Sequence, residues 1–140
     1  YVRETWRLVG DFILDGNDLR ATDGTTPRSI KTAAISSYEM DSHSTEALAD
    51  PNGGTPRIWN SGNFQQSTGG TNLRAPVPIE VMFPKQSECI NLQVLFGLSM
   101  THAAFGSARM EFTMAMRAQT AAENAKYAID HNCDIQDVDY

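Results

Sequence analysis

Lysine and arginine are scarce: 11 basic residues face 17 acidic ones, the net charge is −6, and no basic cluster offsets it locally. Phosphate contact needs a basic face, so nucleic-acid binding is disfavoured. Only two cysteines occur, Cys89 and Cys133, far apart and without C-x-x-C spacing, which argues against a metal site or redox pair and leaves room for one disulfide. The three histidines, His43, His102 and His131, are not spaced as metal ligands. No apolar run approaches the roughly 20 residues that span a bilayer, so a soluble chain with no anchoring helix is expected. What remains is globular in composition, with 41% hydrophobic and 20% charged residues, and 140 residues suffice for one domain with a core. The chain starts at Tyr1 rather than Met, which implies a segment removed or lying outside this sequence.

The organising stretch runs from Asn91 to Asp130, where an apolar run, a small-residue turn and a long periodic segment follow without a break. Leu92, Val94, Leu95, Phe96 and Leu98 predict a strand buried on both faces over Leu92–Leu98. Gly106 and Ser107 supply a conformationally tolerant residue and an N-cap for a helix predicted from Ala108 to about Ile129. Met110, Met114, Ala118, Ala121, Ala125 and Ala128 recur at three- and four-residue spacing as its packing stripe. Arg117, Glu123, Asn124 and Lys126 read as solvated, and Asn132 as the stop. The start of such a helix presents unpaired N–H groups that favour an anionic or oxygen-rich ligand, to which Arg109 in the first turn would add fixed charge.

The string LSMTHAAFGSARMEFTMAMRAQTAA resembles the C-terminal flavin-side motif of a family of FAD-dependent oxidoreductases, found often in bacteria and sometimes labelled xanthan lyases. That motif, a Ser-x-x-His turn followed by Gly-Ser-x-Arg-Met-Glu, is matched by Ser99, His102, Gly106, Ser107, Arg109, Met110 and Glu111. YVRETWRLVGDFIL, SSYEMDSHS and MFPKQSECINL resemble the family's substrate-domain strands and the approach to its final strand, and IQDVDY its tail. The chain departs from the family at Phe112, where proline is usual, and at Ala118 and Gln119, where a Gly-Gln pair is usual. The resemblance implies a mixed α/β fold, with residues 1–84 as substrate-domain-like strands and loops and residues 85–140 as the C-terminal strand and helix of a flavin-binding nucleotide fold. It implies FAD contact by Ser99, Gly106, Ser107, Arg109, Met110 and Glu111.

Taken in order, Tyr1 to Leu14 suit a helical or irregular start through Arg7 and a strand over Leu8–Leu14, with a bulge or close approach at Gly10. Asp15 to Asp18 form a turn cluster, and Arg20 to Ser29 a surface loop. AAISSYEMDSH alternates, with Ile35, Ser37, Glu39 and Asp41 on one face and Ser36, Tyr38, Met40 and Ser42 on the other. A half-buried strand there would project Asp41 and His43 from one side, close enough for the carboxylate to orient the imidazole, unless Asp41 and Ser42 merely cap the next turn. Glu46 to Pro78 is rich in glycine and proline, and Trp59 and Phe64 suggest a hairpin arm. Ile79 to Phe83 is a short β-prone run.

No G-x-G-x-x-G turn is present, so the pyrophosphate-holding half of a FAD fold is missing and the chain resembles the C-terminal quarter of a larger enzyme, with a missing N-terminal half or partner chain. Two functions follow. In the first, the chain shapes the flavin-ring side of an oxidoreductase acting on a small, carbohydrate-related molecule, with His43, His102 and Asp41 serving proton transfer. In the second, it is a non-catalytic fragment that contacts a glycan or protein around Trp59.

Overall fold

The computed structural model describes residues 6–19, 31–43, 46–49, 58–61, 64–66 and 74–139, and of residues 59–61 and 64–66 the backbone only. The fold is mixed α and β. A one-turn helix α1 (Gly16–Leu19) is followed by strands β1 (Thr32–Ser36), β2 (Met40–Ser42), β3 (Glu46–Ala49), β4 (Ile58–Ser61), β5 (Phe64–Gln66) and β6 (Ala75–Pro78). A 3-10 helix (Ile79–Met82) and two α-helices, α2 (His102–Ala108) and α3 (Glu111–His131), complete it.

The described strands pair antiparallel as three two-stranded sheets, β1 with β6, β2 with β5 and β3 with β4. Pro76 and Pro78 are tolerated in β6 because a two-stranded sheet consists of edges only. The register of β1 slips between Thr32 and Ala34, and the carbonyl of the intervening Ala33 accepts the Thr120 hydroxyl of α3 at 2.8 Å. This bond fastens the long helix to the sheet. The apolar core gathers Leu14, Leu19, Met40, Val77, Ile79, Val81, Met82 and Leu98 around Phe105, whose ring meets Phe96 edge-on at 5.5 Å.

The alternation over residues 35–42 forms two strands, β1 and β2, and its second face turns inward: Ser36, Met40 and Ser42 are buried, although Tyr38 is exposed. The turn cluster closes as α1, because the Asp15 carboxylate accepts from Asn17 N and Asp18 N while Asp18 accepts from Asp15 N. Asn132 ends α3 in the left-handed region, at φ 50°. Its own N–H and that of Cys133 close the last turn on Ile129 and Ala128.

Other expectations need correction. Leu92–Leu98 is not a strand: Leu92 is exposed, residues 93–97 are half-buried, and the fully buried run is Leu98–Met100, displaced toward α2. Its backbone bonds go to separate neighbours, Val94 N to Met82 O, Ser99 N to Val81 O and Leu14 N to Ser99 O, so no ladder forms beyond the single Leu14–Met100 bridge. For the same reason Leu8–Leu14 is not a strand, although Gly10 does make the close approach expected of it, since a Cβ there would overlap the Phe83 carbonyl. Ile79–Met82 is 3-10 helix rather than strand.

The helix predicted from Ala108 begins at Glu111, and the small-residue turn before it is itself α2. Thr101 caps α2 and Met110 caps α3, so Ser107 is no N-cap and Arg109 lies at the C-cap of α2 rather than in the first turn of α3. The buried stripe of α3 is Thr113, Arg117, Ala121 and Asn124, flanked by the half-buried Met110, Met114, Ala118, Ala125 and Ala128. Arg117 and Asn124 are therefore interior, not solvated. Tyr1 to Thr5, the loop from Arg20 to Ser29 and the side chains of Trp59 and Phe64 lie outside the described residues.

Candidate functional site

Helix α2 is only two turns long and contains glycine and serine, poor helix formers, so its place is set by its contacts. The Thr101 hydroxyl accepts from Ala104 N at 3.4 Å, while Thr101 N donates to Leu14 O at 2.9 Å. Gly106 then decides how closely the helix approaches β2. A Cβ at this position would lie 2.6 Å from the Asp41 carbonyl oxygen and 3.0 Å from the Asp41 nitrogen, distances that only a hydrogen can occupy.

His102, Gly106 and Arg109 recur at i, i+4 and i+7, which is one face of a helix, and that face lies on β2. One turn before the glycine contact, His102 Nε2 meets Ser42 Oγ at 3.0 Å. Nearly one turn after it, Arg109 Nη2 donates to the Asp41 carbonyl at 3.0 Å. A cation at the end of α2 is also favoured by the helix dipole, so Arg109 sits at the negative end of one helix rather than at the positive start of another. On the strand, His43 Nε2 and Asp41 Oδ2 are 3.9 Å apart, with the side chains 82% and 19% exposed. This is a loose, largely solvated pair, close enough to bias the ring and worth little in stability. His102 thus meets β2 at the Ser42 hydroxyl and Arg109 at the Asp41 carbonyl, while the Asp41 and His43 side chains pair with each other at the strand end.

The remaining candidates are held differently. Ser107 Oγ donates to Tyr38 O at 2.6 Å and lies 2.6 Å from Ser36 Oγ, a buried serine pair that extends the same crossing. Ser99 is fully buried; its hydroxyl accepts from Gly10 N at 3.0 Å and donates to Phe12 O at 2.6 Å, so its bonding capacity is committed to the first segment of the chain. Met110 caps α3 without a side-chain hydrogen bond, and Glu111 and Phe112 beside it are exposed. Phe112 sits in the first turn of the helix, where the proline usual in the resembled motif would remove no intrahelical bond.

Two polar residues escaped sequence reading. Ser42 reads in the sequence only as one position of an alternating strand or as a turn cap. Arg117, 0% exposed, donates from Nε to Leu95 O at 3.1 Å and from Nη1 to Ala108 O at 2.8 Å, so it caps the C-terminal end of α2 from within α3. Burial pushes its pKa down to about 10, leaving it charged at neutral pH. Its four-residue spacing from Thr113 and Ala121 was the available signal. Both cysteines are free thiols, and no group of three or more potential metal ligands comes together among the described residues. No helix among them is long and apolar enough to cross a membrane.

No curated protein and no solved structure matches the chain. The family described as FAD dependent oxidoreductase matches residues 1–140, the whole of the sequence. The chain therefore belongs to the FAD dependent oxidoreductase family.

Proposed function

We propose that this chain forms the flavin-ring and substrate side of a FAD-dependent oxidoreductase, with the α2–β2 crossing and the start of α3 as its reactive face. The observation that supports the reading is that α2 sets His102 and Arg109 against β2, the strand that carries the Asp41–His43 pair, with Arg109 immediately before Met110, the N-cap of α3. Within the resembled motif, residues 85–140 correspond to the C-terminal strand and helix of the flavin-binding fold and residues 1–84 to the substrate side.

The residues fit a flavin in part. The first turn of α3 has no side-chain cap and begins at an exposed surface, so its N–H groups suit the acceptor-rich pyrimidine edge of the ring. Met110 and Glu111 would lie against that edge, and Arg109 beside it. Ser99, Gly106 and Ser107 support this arrangement from within, because their bonds and close contacts are made to the protein itself. When bound, FAD supplies the electron transfer, and the protein supplies orientation and electrostatics. His102 and His43 are suited to give or take a proton at a substrate, with Asp41 biasing the His43 ring. A small, carbohydrate-related substrate remains the inference from resemblance, as does the N-terminal half or partner chain that would hold the pyrophosphate.

Colour decides the first step. Protein purified with the N-terminal half or partner chain that would hold the pyrophosphate, and carrying a flavin spectrum or acquiring one on addition of FAD, supports the reading, whereas such a complete protein that is folded and stays colourless in every preparation removes it. Arg109→Ala should lower flavin occupancy. Full occupancy with a lower melting temperature would make Arg109 a clamp between α2 and β2 and nothing more. A second reading, a non-catalytic assembly piece, draws on the exposed apolar side chains of α3, Phe112 and Ile129.

A further inference from the structure

We propose that the groove at the C-terminal end of α3 binds a small amphipathic cation, an organic ammonium ion with an apolar body. The groove has a volume of about 610 Å³, within the roughly 300–1,000 Å³ usual for small-molecule sites. Ala125, Ala128 and Ile129 line it from one face of α3, Ile90 from the segment before α2 and Ile135 from the tail. The two alanines leave the space, and the isoleucines make its walls apolar. Ile90 and Ile129 are exposed, so an apolar body lying on them removes hydrophobic surface from water. The walls are held by the chain's own bonds: Ile135 N donates to Ile90 O at 3.1 Å, and the buried Asn124 donates from Nδ2 to Ile135 O at 3.2 Å. The tail is thus fastened both to α3 and to the Ile90 segment before any ligand arrives, which limits the ordering cost of binding.

The polar part of the lining carries one sign of charge. Helix α3 ends at Asn132, which lines the groove, so the negative end of the helix dipole lies there. Asp134 adds a carboxylate, and the partner of its Oδ2 is the neutral Gln86 amide at 3.2 Å, which leaves the charge uncompensated. No lysine, arginine or histidine lines the groove among the described residues. The basic side chains nearest in sequence are engaged elsewhere on α3, Lys126 with Asp130 and His131 stacked on Tyr127. An anion would meet like charge, and a neutral apolar molecule would leave the carboxylate and the helix end unanswered. An ammonium head answers both while its body covers the isoleucines. The 21 residues of α3, at about 1.5 Å each, put roughly 30 Å between this groove and the helix start, so the proposal does not rest on the flavin reading.

Saturation-transfer NMR on the complete protein, at neutral pH and low salt, tests the site with hexylammonium, hexanol and hexanoate as probes. Hexylammonium should bind saturably and about three- to tenfold more tightly than hexanol, the gain expected from one surface carboxylate and one helix end, and hexanoate should bind more weakly than either. Asp134→Asn should shrink the preference for the ammonium ion and leave hexanol binding unchanged. Ile129→Lys, at a position 79% exposed where the fold does not depend on the side chain, should weaken hexylammonium and strengthen hexanoate. Equal affinity for hexylammonium and hexanol in the wild type overturns the proposal, and so does the absence of saturable hexylammonium binding. A preference that survives Ile129→Lys unchanged places the cation elsewhere and overturns it as well. If Asp134→Asn does not fold, the wild-type series and Ile129→Lys decide.

Discussion

Arg117 is a charge in the interior with no acidic partner among its recorded bonds, and replacing it weighs those bonds against the burial of the charge. Its two bonds to Leu95 O and Ala108 O come from a charged donor and contribute about 1.5–3 kcal/mol each. Against them stands the burial that pushes its pKa down to about 10, a displacement equivalent to roughly 3 kcal/mol against the charged form. The guanidinium is thus net stabilising by roughly 0–3 kcal/mol relative to an apolar side chain of similar length. Arg117→Met should be destabilised by about that amount. Arg117→Ala also loses the buried stem and leaves a cavity, and should cost about 3–5 kcal/mol. Urea unfolding measures both. With a slope of about 2 kcal/mol per molar, the alanine variant should lose roughly 2 M from its midpoint while the slope stays constant. The folded pKa is the lower one, so the burial penalty on the charge is constant at lower pH and is relieved, by loss of the Arg117 proton, only as the pH rises past about 10. The difference between wild type and Arg117→Met should therefore be flat from about pH 6 to 9. An alanine variant within about 1 kcal/mol of wild type would show that the guanidinium does not hold the end of α2 against α3.

Gly106→Ala should lower stability by about 1–3 kcal/mol despite the better helix propensity of alanine, because the new Cβ would meet Asp41 backbone at 2.6 Å; a melting temperature at or above wild type would contradict the close crossing. Asn132→Ala should cost about 1 kcal/mol, and Asn132→Gly should be neutral or mildly stabilising, since the position has φ 50°; equal stability of the two variants would argue against a left-handed cap. The 140-residue chain by itself should bind FAD weakly in a titration, because it has no G-x-G-x-x-G turn, and a tight one-to-one complex would refute that inference. Lys126 and Asp130 pair on the exposed face of α3, with the aspartate pKa lowered by the hydrogen bond and charge of Lys126. Its contribution is complete above the unfolded aspartate value of about 3.9 and lost as the pH falls through the lower folded one, so Asp130→Asn should match wild type in acid and trail it slightly at neutral pH.

Local signals carried the long helix, its asparagine stop and the alternation of residues 36–42, because each depends on spacing along one element. The same spacing placed Asp41 and His43 together on one strand end. Helix α2 was not legible, since seven residues with a glycine and a serine have little intrinsic preference and are fixed by Leu14, Asp41 and Tyr38 from elsewhere in the chain. Apolar composition at residues 92–98 suggested a buried strand, but composition cannot reveal that the neighbouring backbones take its hydrogen bonds one at a time. Arg117 was misread because charge is ordinarily a surface label. Only the carbonyls of Leu95 and Ala108, brought in by the tertiary fold, make its burial tolerable. Ser42 had no pattern to announce it, since its meaning depends on a histidine 60 residues away.

The segment that leads into α2 is flanked by Val81 on one side and by Gly10, Phe12 and Leu14 on the other, and its ties to Gly10 and Phe12 span 89 and 87 residues of sequence. Contacts so distant along the chain close late and slowly in folding. During synthesis Gly10 and Phe12 therefore cannot meet Ser99 until 89 and 87 further residues have been added. The α2–β2 crossing can take its final geometry only after that closure. Its assembly should then be among the last events of folding, and removal of the first dozen residues should disturb His102 before it disturbs the far end of α3.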